Sequence, residues 1–379
     1  MPVRANPLDD IIKCNIEISS PASDDATFDS ILLIVQPPTA AVSSGANATR
    51  SVAKTFSASK ADELLEYGYT TTSEAYLAAQ TAFSQNPAPD KLYFCVRSTA
   101  TTGTGDDAVT SSEPIATTLA RANTEAAFYG FHLTEFRTNA DIQAAVEWAE
   151  ANEKLFGFEY TNINSCPVQN FSYYRSFGVY SGQADGYAAD SQPKTNEYAA
   201  LAWMAKCFGY DPGTETWNLK PLATIVPSAL SASEKESLAN THISTFLRYA
   251  GDNVTIGGYT LSGEWIDVIR FRDWLKNEMQ VRVFNVLKTN RKVPYTDEGI
   301  GLVEGAMKAA LAQGQTIGGI APTEYDEDGN AIPGYTVTVP RAASLTETQR
   351  KSRKLTGCKY TARLAGAIHA VEIEGYLTF

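Results

Sequence analysis

Hydrophobic and polar residues alternate most regularly over the last ten residues of the chain. Four apolar residues fall on one side of an extended backbone there: Val371, Ile373, Leu377 and Phe379. The residues between them are mostly polar, with Glu372 and Glu374 on the opposite side. A period of two is typical of a β-strand with one buried face. The pattern therefore predicts a C-terminal β-arm.

The same alternation occurs near the other end, after a polar lead of about ten residues. Three residues between Lys13 and Ser19 share one side of the predicted strand: Cys14, Ile16 and Ile18. The backbone groups of a terminal strand need a ladder partner, which is either a sheet of the same subunit or a sheet of a neighbour. Both possibilities are open for one strand, but two such termini favour arms that pair with neighbouring subunits.

Between the arms, strand patterns alternate with helical patterns over the first 160 residues. Strands are predicted over 30–36, 91–97, 126–133 and 155–160, and helices over 59–67, 73–84, 114–122 and 139–153. Repeated β-α-β order indicates parallel strands joined by helical crossovers. The predicted fold class is therefore α/β (α+β overall), with a mostly parallel sheet flanked by helices and extended N- and C-terminal β-arms.

The second half is predicted to be more helical. Helices are predicted over 195–208, 233–249, 264–289 and 296–313, a hairpin over 253–263 turning on Gly257 and Gly258, and a strand over 335–340. Apolar residues of the long helix 264–289 recur at intervals of three, four or seven, which places them on one stripe. The predicted division is an N-terminal arm (1–28), an α/β domain (29–190), a second domain containing the long helix (191–365) and a C-terminal arm (366–379).

Composition and charge exclude several classes of protein. Hydrophobic residues make up 44% and charged residues 20%, which is typical of a folded chain. The sequence contains no run of about eighteen apolar residues and no signal-peptide pattern, so we expect synthesis in the cytoplasm and no membrane insertion. A net charge of −12 argues against nucleic-acid binding. The five cysteines form no Cys-x-x-Cys pair, so neither a zinc site nor a disulfide framework is predicted.

One segment has the opposite charge to the rest of the chain. Residues 348–371 contain no acidic residue and six basic ones: Arg350, Lys351, Arg353, Lys354, Lys359 and Arg363. In a helix, Arg350, Arg353 and Lys354 would share a face, with Lys351 beside it. Such a cluster is either a solvated helix face or a surface for an acidic partner, and both interpretations are open.

No motif indicates catalysis. Phosphate-binding glycine loops, dinucleotide fingerprints and zinc-protease motifs do not occur. Three histidines stand apart in the sequence and are predicted to be structural or exposed: His132, His242 and His369. The segment Asp326–Asn330 lacks the ligand ladder of a calcium loop and is predicted to be a hairpin turn. We therefore predict no catalytic residue, no cofactor and no metal.

Several segments of the second half, taken in order, resemble a known family. They are Ala199-Ala-Leu-Ala-Trp-Met-Ala205, Trp217-Asn-Leu-Lys-Pro221, Trp265-Ile-Asp-Val-Ile-Arg-Phe-Arg272 and Val283-Phe-Asn-Val286, followed by 314–319, the basic segment and the terminal strand. This order resembles the contractile tail sheath proteins of bacteriophages and related injection systems, of the short type. The resemblance covers 198–379 well, and the N-terminal half only by its arm and its α/β alternation.

The resemblance implies a structural subunit. Such subunits form helically stacked six-membered rings around an inner tube, are linked by their terminal arms, and contract to drive the tube through a cell envelope. The implied partners are further copies of the chain, the inner tail tube protein, and the baseplate and tail terminator proteins, in a virion tail or a phage-derived injection particle. On this basis the basic residues Arg350, Lys351, Arg353 and Lys354 are predicted to contact the tube. The alternatives are an α/β enzyme that binds a small ligand at the sheet edge, and a tube or capsid protein.

Overall fold

The structure is a computed structural model that describes residues 27–38, 55–102, 109–163, 168 and 172–375. Within these ranges the strands are β1 (Ile31–Val35), β2 (Thr55–Ala58), β3 (Leu92–Val96), β4 (Thr99–Thr102), β5 (Val109–Ser112), β6 (Gly130–Leu133), β7 (Leu155–Tyr160), β8 (Ser176–Tyr180), β9 (Ile243–Tyr249), β10 (Asp252–Ile256), β11 (Glu324–Tyr325), β12 (Ala331–Ile332), β13 (Tyr335–Thr338) and β14 (Lys359–Ala362). The α-helices are α1 (Glu74–Phe83), α2 (Ile115–Glu125), α3 (Asn139–Asn152), α4 (Ala199–Phe208), α5 (Ala232–Asn240), α6 (Ile266–Thr289), α7 (Asp297–Thr316) and α8 (Glu347–Ser352). Short 3-10 helices cover Ala61–Tyr67, Lys194–Tyr198 and Ala342–Ser344.

Eight of the described strands form one sheet, in the order β10-β9-β8-β7-β6-β1-β3-β2. The strands from β9 to β3 in this order run parallel, and the edge strands β10 and β2 are antiparallel to their neighbours. Parallel neighbours need long crossovers, which the intervening helices provide. The predicted mostly parallel sheet flanked by helices is confirmed.

Strand β1 shows why this sheet is covered on both faces. All five of its residues are fully buried. Ile31, Leu33 and Val35 pack into one hydrophobic cluster with α1 and α4, whereas Leu32 and Ile34 pack into another with α2 and α3. A continuous apolar run, rather than an alternating one, is what a parallel strand covered on both faces requires.

Helix α4 is buried along its whole length, between the sheet and α1. Its sequence is rich in alanine, which lets it approach the strands closely. A Cβ atom at Gly130 of β6 would lie only 2.5 Å from the Sδ atom of Met204. The close fit between α4 and the sheet therefore depends on glycine at this position.

The helix predicted over 233–249 is wrong in its second half. Only α5 is helical, and β9 begins at Ile243. The residues of β9 include β-branched and aromatic side chains, among them Phe246 and Tyr249, that favour strands. The first five residues of β9 are buried in the sheet, so tertiary packing decided its conformation.

The hairpin predicted to turn on Gly257 and Gly258 is also displaced. The turn joins β9 to β10 at Ala250 and Gly251, whose φ angles are 51° and 100°. Two consecutive residues with positive φ make the tight turn whose twist matches antiparallel strands. Gly257 and Gly258 instead follow β10 and also have positive φ.

The helices α6 and α7 form a third hydrophobic cluster with one face of the ribbon β13–β14. The apolar stripe of α6 consists of Phe271, Leu275, Met279 and Val283, which are four residues apart. The long helix predicted over 264–289 is thereby confirmed, with its first residue at Ile266. Residues of β13, of β14 and of the loop between them pack against this cluster.

The large sheet continues past the predicted boundary at residue 190. Strands β9 and β10 complete its edge, and α4 covers one of its faces. The sheet therefore joins residues from both predicted domains. The division of the chain into 1–28, 29–190, 191–365 and 366–379 as folding units stays a prediction.

Candidate assembly surfaces

The C-terminal segment crosses its own subunit before it becomes exposed. After β14, the amide of Arg363 donates to the carbonyl of Gly334, and the amide of Ala321 donates to the carbonyl of Arg363, each at 2.8 Å. The amide of Ala365 then donates to the carbonyl of Gly319 at 3.1 Å. The described residues beyond this point, up to residue 375, belong to no helix or strand.

Three apolar side chains of this segment are left open to solvent. Ile368 is 84% exposed, Val371 72% and Ile373 89%. Apolar side chains that protrude in a row indicate a contact surface for another molecule. Val371 and Ile373 belong to the predicted arm, and among the described residues no strand pairs with them, so a strand there would need another ladder partner. Ile368 was missed, because the alternation begins two residues later.

The other predicted arm residues lie outside the described residues. They are Cys14, Ile16, Ile18, Leu377 and Phe379. Their assignment to arms between subunits stays a prediction.

The basic segment is less helical than its sequence suggests. Thr346 caps the start of α8, accepting from the amide of Gln349 at 3.2 Å. The helix ends because Arg353 has a left-handed φ of 54°. Lys354 therefore lies beyond the helix. The prediction that Arg350, Arg353 and Lys354 share one helical face is wrong.

The four basic residues predicted to contact a tube differ in their surroundings. The Arg350 guanidinium donates to the backbone carbonyls of Tyr295, Ala342 and Leu345. The ammonium of Lys351 lies 2.7 Å from the carboxylate of Glu347, and both side chains are exposed. Arg350 therefore holds its own loop in place, and the charge of Lys351 is partly neutralised.

Arg353 and Lys354 are exposed just beyond the end of α8. Within the part of the chain that the structure describes, neither side chain forms an ion pair. An exposed cation without an ion-pair partner is free to approach an acidic surface. Of the four predicted contact residues, these two are the most available to a partner.

His132 and His242 both have structural partners within the sheet and its adjoining loops. The Nε2 atom of the buried His132 lies 2.9 Å from the Oε2 atom of Glu159, whose other oxygen accepts from the amide of Ala200 at 2.9 Å. This carboxylate thus meets the first turn of α4, where negative charge is favourable. The Nδ1 atom of His242 donates to the carbonyl of Leu261 at 3.0 Å. These contacts agree with the structural role predicted for both residues.

The sheet edge where an α/β enzyme would bind a ligand is occupied by internal contacts. The chain reverses direction across the sheet between β1 and β6. At the ends of these strands, the Gln36 amide donates to the carboxylate of Glu135 at 2.9 Å, and the Tyr69 hydroxyl donates to the Gln36 carbonyl at 2.8 Å. Burial raises the pKa of Glu135. These groups bind each other, which weakens the enzyme alternative.

The sequence Asp326–Asn330 forms a hairpin turn between β11 and β12, as predicted. The amides of Asp328 and Asn330 donate to one carboxylate oxygen of Asp326, at 3.0 and 2.7 Å. Among the described residues, no group of three or more histidine, cysteine or acidic side chains is placed to hold a metal ion. Within the same residues, no helix combines the length and apolarity that crossing a membrane requires.

Helix α6 has a buried charged face that the residue pattern did not predict. The Arg270 side chain is fully buried and forms an ion pair with Glu215. It also donates to the carbonyls of Cys207, at 3.1 Å, and Phe28, at 2.9 Å. Burial raises the pKa of Glu215, and the adjacent guanidinium opposes that rise. Arg270 therefore fixes the start of α6 to the end of α4 and to the chain before β1.

One turn further along α6, Asp273 makes a second contact of this kind. It forms an ion pair with the buried Arg175 and accepts from the hydroxyl of Tyr129 at 2.6 Å. Lys276 then approaches Glu153 to 3.5 Å. Charged residues three apart on a helix are equally typical of a solvated face, so their spacing does not indicate burial.

A family model describes the last third of the chain. The model for E217 tail sheath protein gp31-like, C-terminal domain, matches residues 266–376. The match begins at α6 and includes α7, the ribbon β13–β14, the basic segment and the exposed apolar residues. No curated protein matches the chain.

Solved structures with the same fold come from contractile injection systems. The helical sheath of the anti-feeding prophage in its contracted state aligns with a TM-score of 0.64 at 12% identity, covering 96% of this chain and 97% of that one. The contracted sheath complex of PVC, an extracellular contractile injection system, aligns with a TM-score of 0.63 at 12% identity, over 99% and 98%. A chain of the six-fold symmetrised anti-feeding prophage baseplate aligns with a TM-score of 0.60 at 14% identity, over the full length of both chains.

At identities this low the alignments establish the fold, and the family model adds a sequence match over residues 266–376. The two agree on the same class of protein. The chain has the fold of contractile sheath proteins over its whole length, and its last third matches a tail sheath domain, which confirms the resemblance seen in the sequence.

Proposed function

We propose that this chain is the structural subunit of a contractile sheath. Its copies form helically stacked six-membered rings around an inner tube and contract to drive that tube through a cell envelope. The observation that carries the proposal is the exposed apolar C-terminal segment within the part of the chain that matches a tail sheath domain. Ile368, Val371 and Ile373 leave an apolar surface open to a protein partner, and in a sheath that partner is another copy.

The C-terminal segment is suited to a strong joint between subunits. Val371 and Ile373 keep most of their surface exposed and therefore available for burial in a complex. Together with Leu377 and Phe379, burial at ~1.5–3 kcal/mol each would contribute about 6–12 kcal/mol. This is an upper bound, because ordering the segment costs entropy. Ladder hydrogen bonds would add about 1 kcal/mol each. We assign the N-terminal residues Cys14, Ile16 and Ile18 to a second arm of the same kind.

The basic segment is assigned to the inner tube. Of Arg350, Lys351, Arg353 and Lys354, the last two have the exposure and the free charge that binding to an acidic tube wall requires. Such a contact is weakened by salt, whereas apolar and main-chain joints between sheath subunits are not. Because the tube contact and the joints between subunits differ in kind, the sheath would separate from the tube while its subunits stay linked.

The remaining assignments follow from a sheath. The particle is a virion tail or a phage-derived injection system, and the further partners are its baseplate and tail terminator proteins. The chain has no catalytic role in this assignment. The family model and the similar structures are of structural proteins, and the sheet edge where the enzyme alternative places its ligand is occupied by Gln36, Tyr69 and Glu135.

Negative-stain microscopy of the purified protein tests the proposal directly, because sheath-like tubes, rings and monomers differ in appearance. The variant that lacks 372–379 should be folded and soluble but unable to form tubes. Circular dichroism and thermal unfolding check the fold, and microscopy checks assembly. If the truncated protein unfolds, the segment belongs to its own core and the arm assignment is wrong. Saturable binding of ATP or NAD in calorimetry would instead favour the enzyme.

A further inference from the structure

The exposed C-terminal segment is fixed to its own subunit at one side chain. Within the described residues, His369 is the last whose side chain makes a hydrogen bond or a ring contact with the rest of the chain. Its Nε2 atom lies 2.8 Å from the Oγ1 atom of Thr216. Its ring meets the ring of Trp265 edge to face, with the centroids 4.4 Å apart and the planes at 79°. In the sequence, His369 lies between the exposed residues Ile368 and Val371, so its two contacts hold the chain between them.

The surface that receives His369 is firmly held. Trp265 is the N-cap residue of α6, and its ring also lies 5.7 Å from that of Tyr259. Thr216 directly follows Glu215, which pairs with the buried Arg270. The carboxylate of Asp267 is nearby, and burial raises the pKa of Asp267 while the charge of His369 opposes that rise. A contact on such a surface fixes the position of the segment, since neither receiving residue belongs to a mobile terminus.

We propose that His369, Thr216 and Trp265 form an anchor that sets where the C-terminal arm leaves its subunit and presents Ile368, Val371 and Ile373 to a neighbouring copy. The inference rests on the proposed sheath function. Its physical effect is pre-organisation: a segment that is already oriented loses less conformational freedom when a partner captures it. His369 is therefore a positioning residue, not part of the joint itself.

The same contact could act as a brake that keeps the arm on its own subunit until a partner displaces it. The exposures favour the anchor. Ile368, Val371 and Ile373 already point outward, at 84%, 72% and 89% exposure, so their binding requires no release of His369. The anchor and the brake predict opposite effects of removing His369, which makes them separable by experiment.

The test uses the full-length protein with four variants. His369→Ala removes both contacts, His369→Phe keeps a ring against Trp265, and Thr216→Val removes the hydroxyl. The fourth variant combines His369→Ala with Thr216→Val.

Sedimentation gives the critical concentration for tube formation. We expect His369→Ala to raise it about tenfold and each partial variant about threefold, because a hydrogen bond and a ring contact are lost together or separately. The double variant should match His369→Ala, since both changes remove the same bond.

A second measurement reports on the unassembled protein. A glutamate-specific protease should cut after Glu372 about fivefold faster in His369→Ala than in the wild type, because release of the anchor increases local opening. Thermal unfolding should be unchanged in all variants, which excludes misfolding as the cause.

The outcomes separate the anchor from the sheath. An unchanged or lowered critical concentration for His369→Ala overturns the anchor, and a lowered one identifies a brake. Unchanged cleavage after Glu372 overturns it as well. If the wild type forms no polymer at all, the proposed function fails, and the cleavage rate alone then decides whether His369 holds the segment.

Discussion

The central sheet of this chain is buried and has its partners within the chain, whereas the C-terminal segment is exposed. In the sheet, β1 and α4 are entirely buried, and buried charges such as Arg270 and Arg175 have carboxylate partners within the chain. In the segment after β14, Ile368, Val371 and Ile373 are exposed and no regular structure is present up to residue 375. The first region finds its contacts within the described chain, and we propose that the second acquires its contacts from another subunit.

The difference separates stability from assembly. Changes in the sheet and its contact with α6 should alter the free energy of unfolding, because they leave buried groups unpaired. Changes in the C-terminal segment should leave that free energy nearly unchanged and alter polymerisation.

Arg270→Met should have the largest effect on stability. It removes the partner of the buried Glu215 and three hydrogen bonds to backbone carbonyls. Breaking a buried ion pair from one side costs about 3–5 kcal/mol. Urea unfolding followed by circular dichroism measures the loss. The double variant with Glu215→Met should recover part of it, because no unpaired carboxylate is left. A loss below 1 kcal/mol would show that α6 is held mainly by its apolar face.

Val371→Asp combined with Ile373→Asp should affect assembly alone. Both side chains are exposed in the single chain, so the free energy of unfolding should change by less than about 0.5 kcal/mol. Tube formation should be lost, because two carboxylates cannot be buried in an apolar joint. The matched control is Glu372→Ser with Glu374→Ser, which alters the opposite side of the predicted strand and should still assemble. Equal loss in both pairs would contradict the one-sided contact.

Arg353→Glu combined with Lys354→Glu should have the smallest effect on the protein by itself. Stability and self-assembly should be unchanged, while coating of the inner tube should fail at physiological salt because the attraction is reversed. Arg291→Glu with Lys292→Glu is the control, since it makes the same charge change at two exposed cations before α7. Cosedimentation with tubes distinguishes them. If the variant with Arg353→Glu and Lys354→Glu coats tubes normally, the basic segment is an ordinary solvated surface.

Local patterns in the sequence determined most of the architecture. The buried runs of β1 and β7 and the periodic helices α1, α3, α6 and α7 lie within three residues of their predicted bounds. Their order was enough to predict a mostly parallel sheet, because parallel pairing follows from β-α-β succession. The ordered segments from Ala199 onwards were enough to predict the family resemblance. The alternation that includes Val371 and Ile373 was visible in the sequence, and their role in an arm between subunits stays a prediction.

Tertiary structure decided those conformations and contacts that local sequence patterns do not distinguish. Residues 243–249 have a helical spacing of apolar residues, but they form β9 because their backbone hydrogen-bonds to β8 in the sheet. Arg270 and Asp273 are buried because their partners Glu215 and Arg175, far away in sequence, are brought to α6 by the fold. The contact of His369 with Trp265 depends in the same way on where the chain returns after β14. Periodicity reports which residues share a face, but only the assembled fold determines what that face meets.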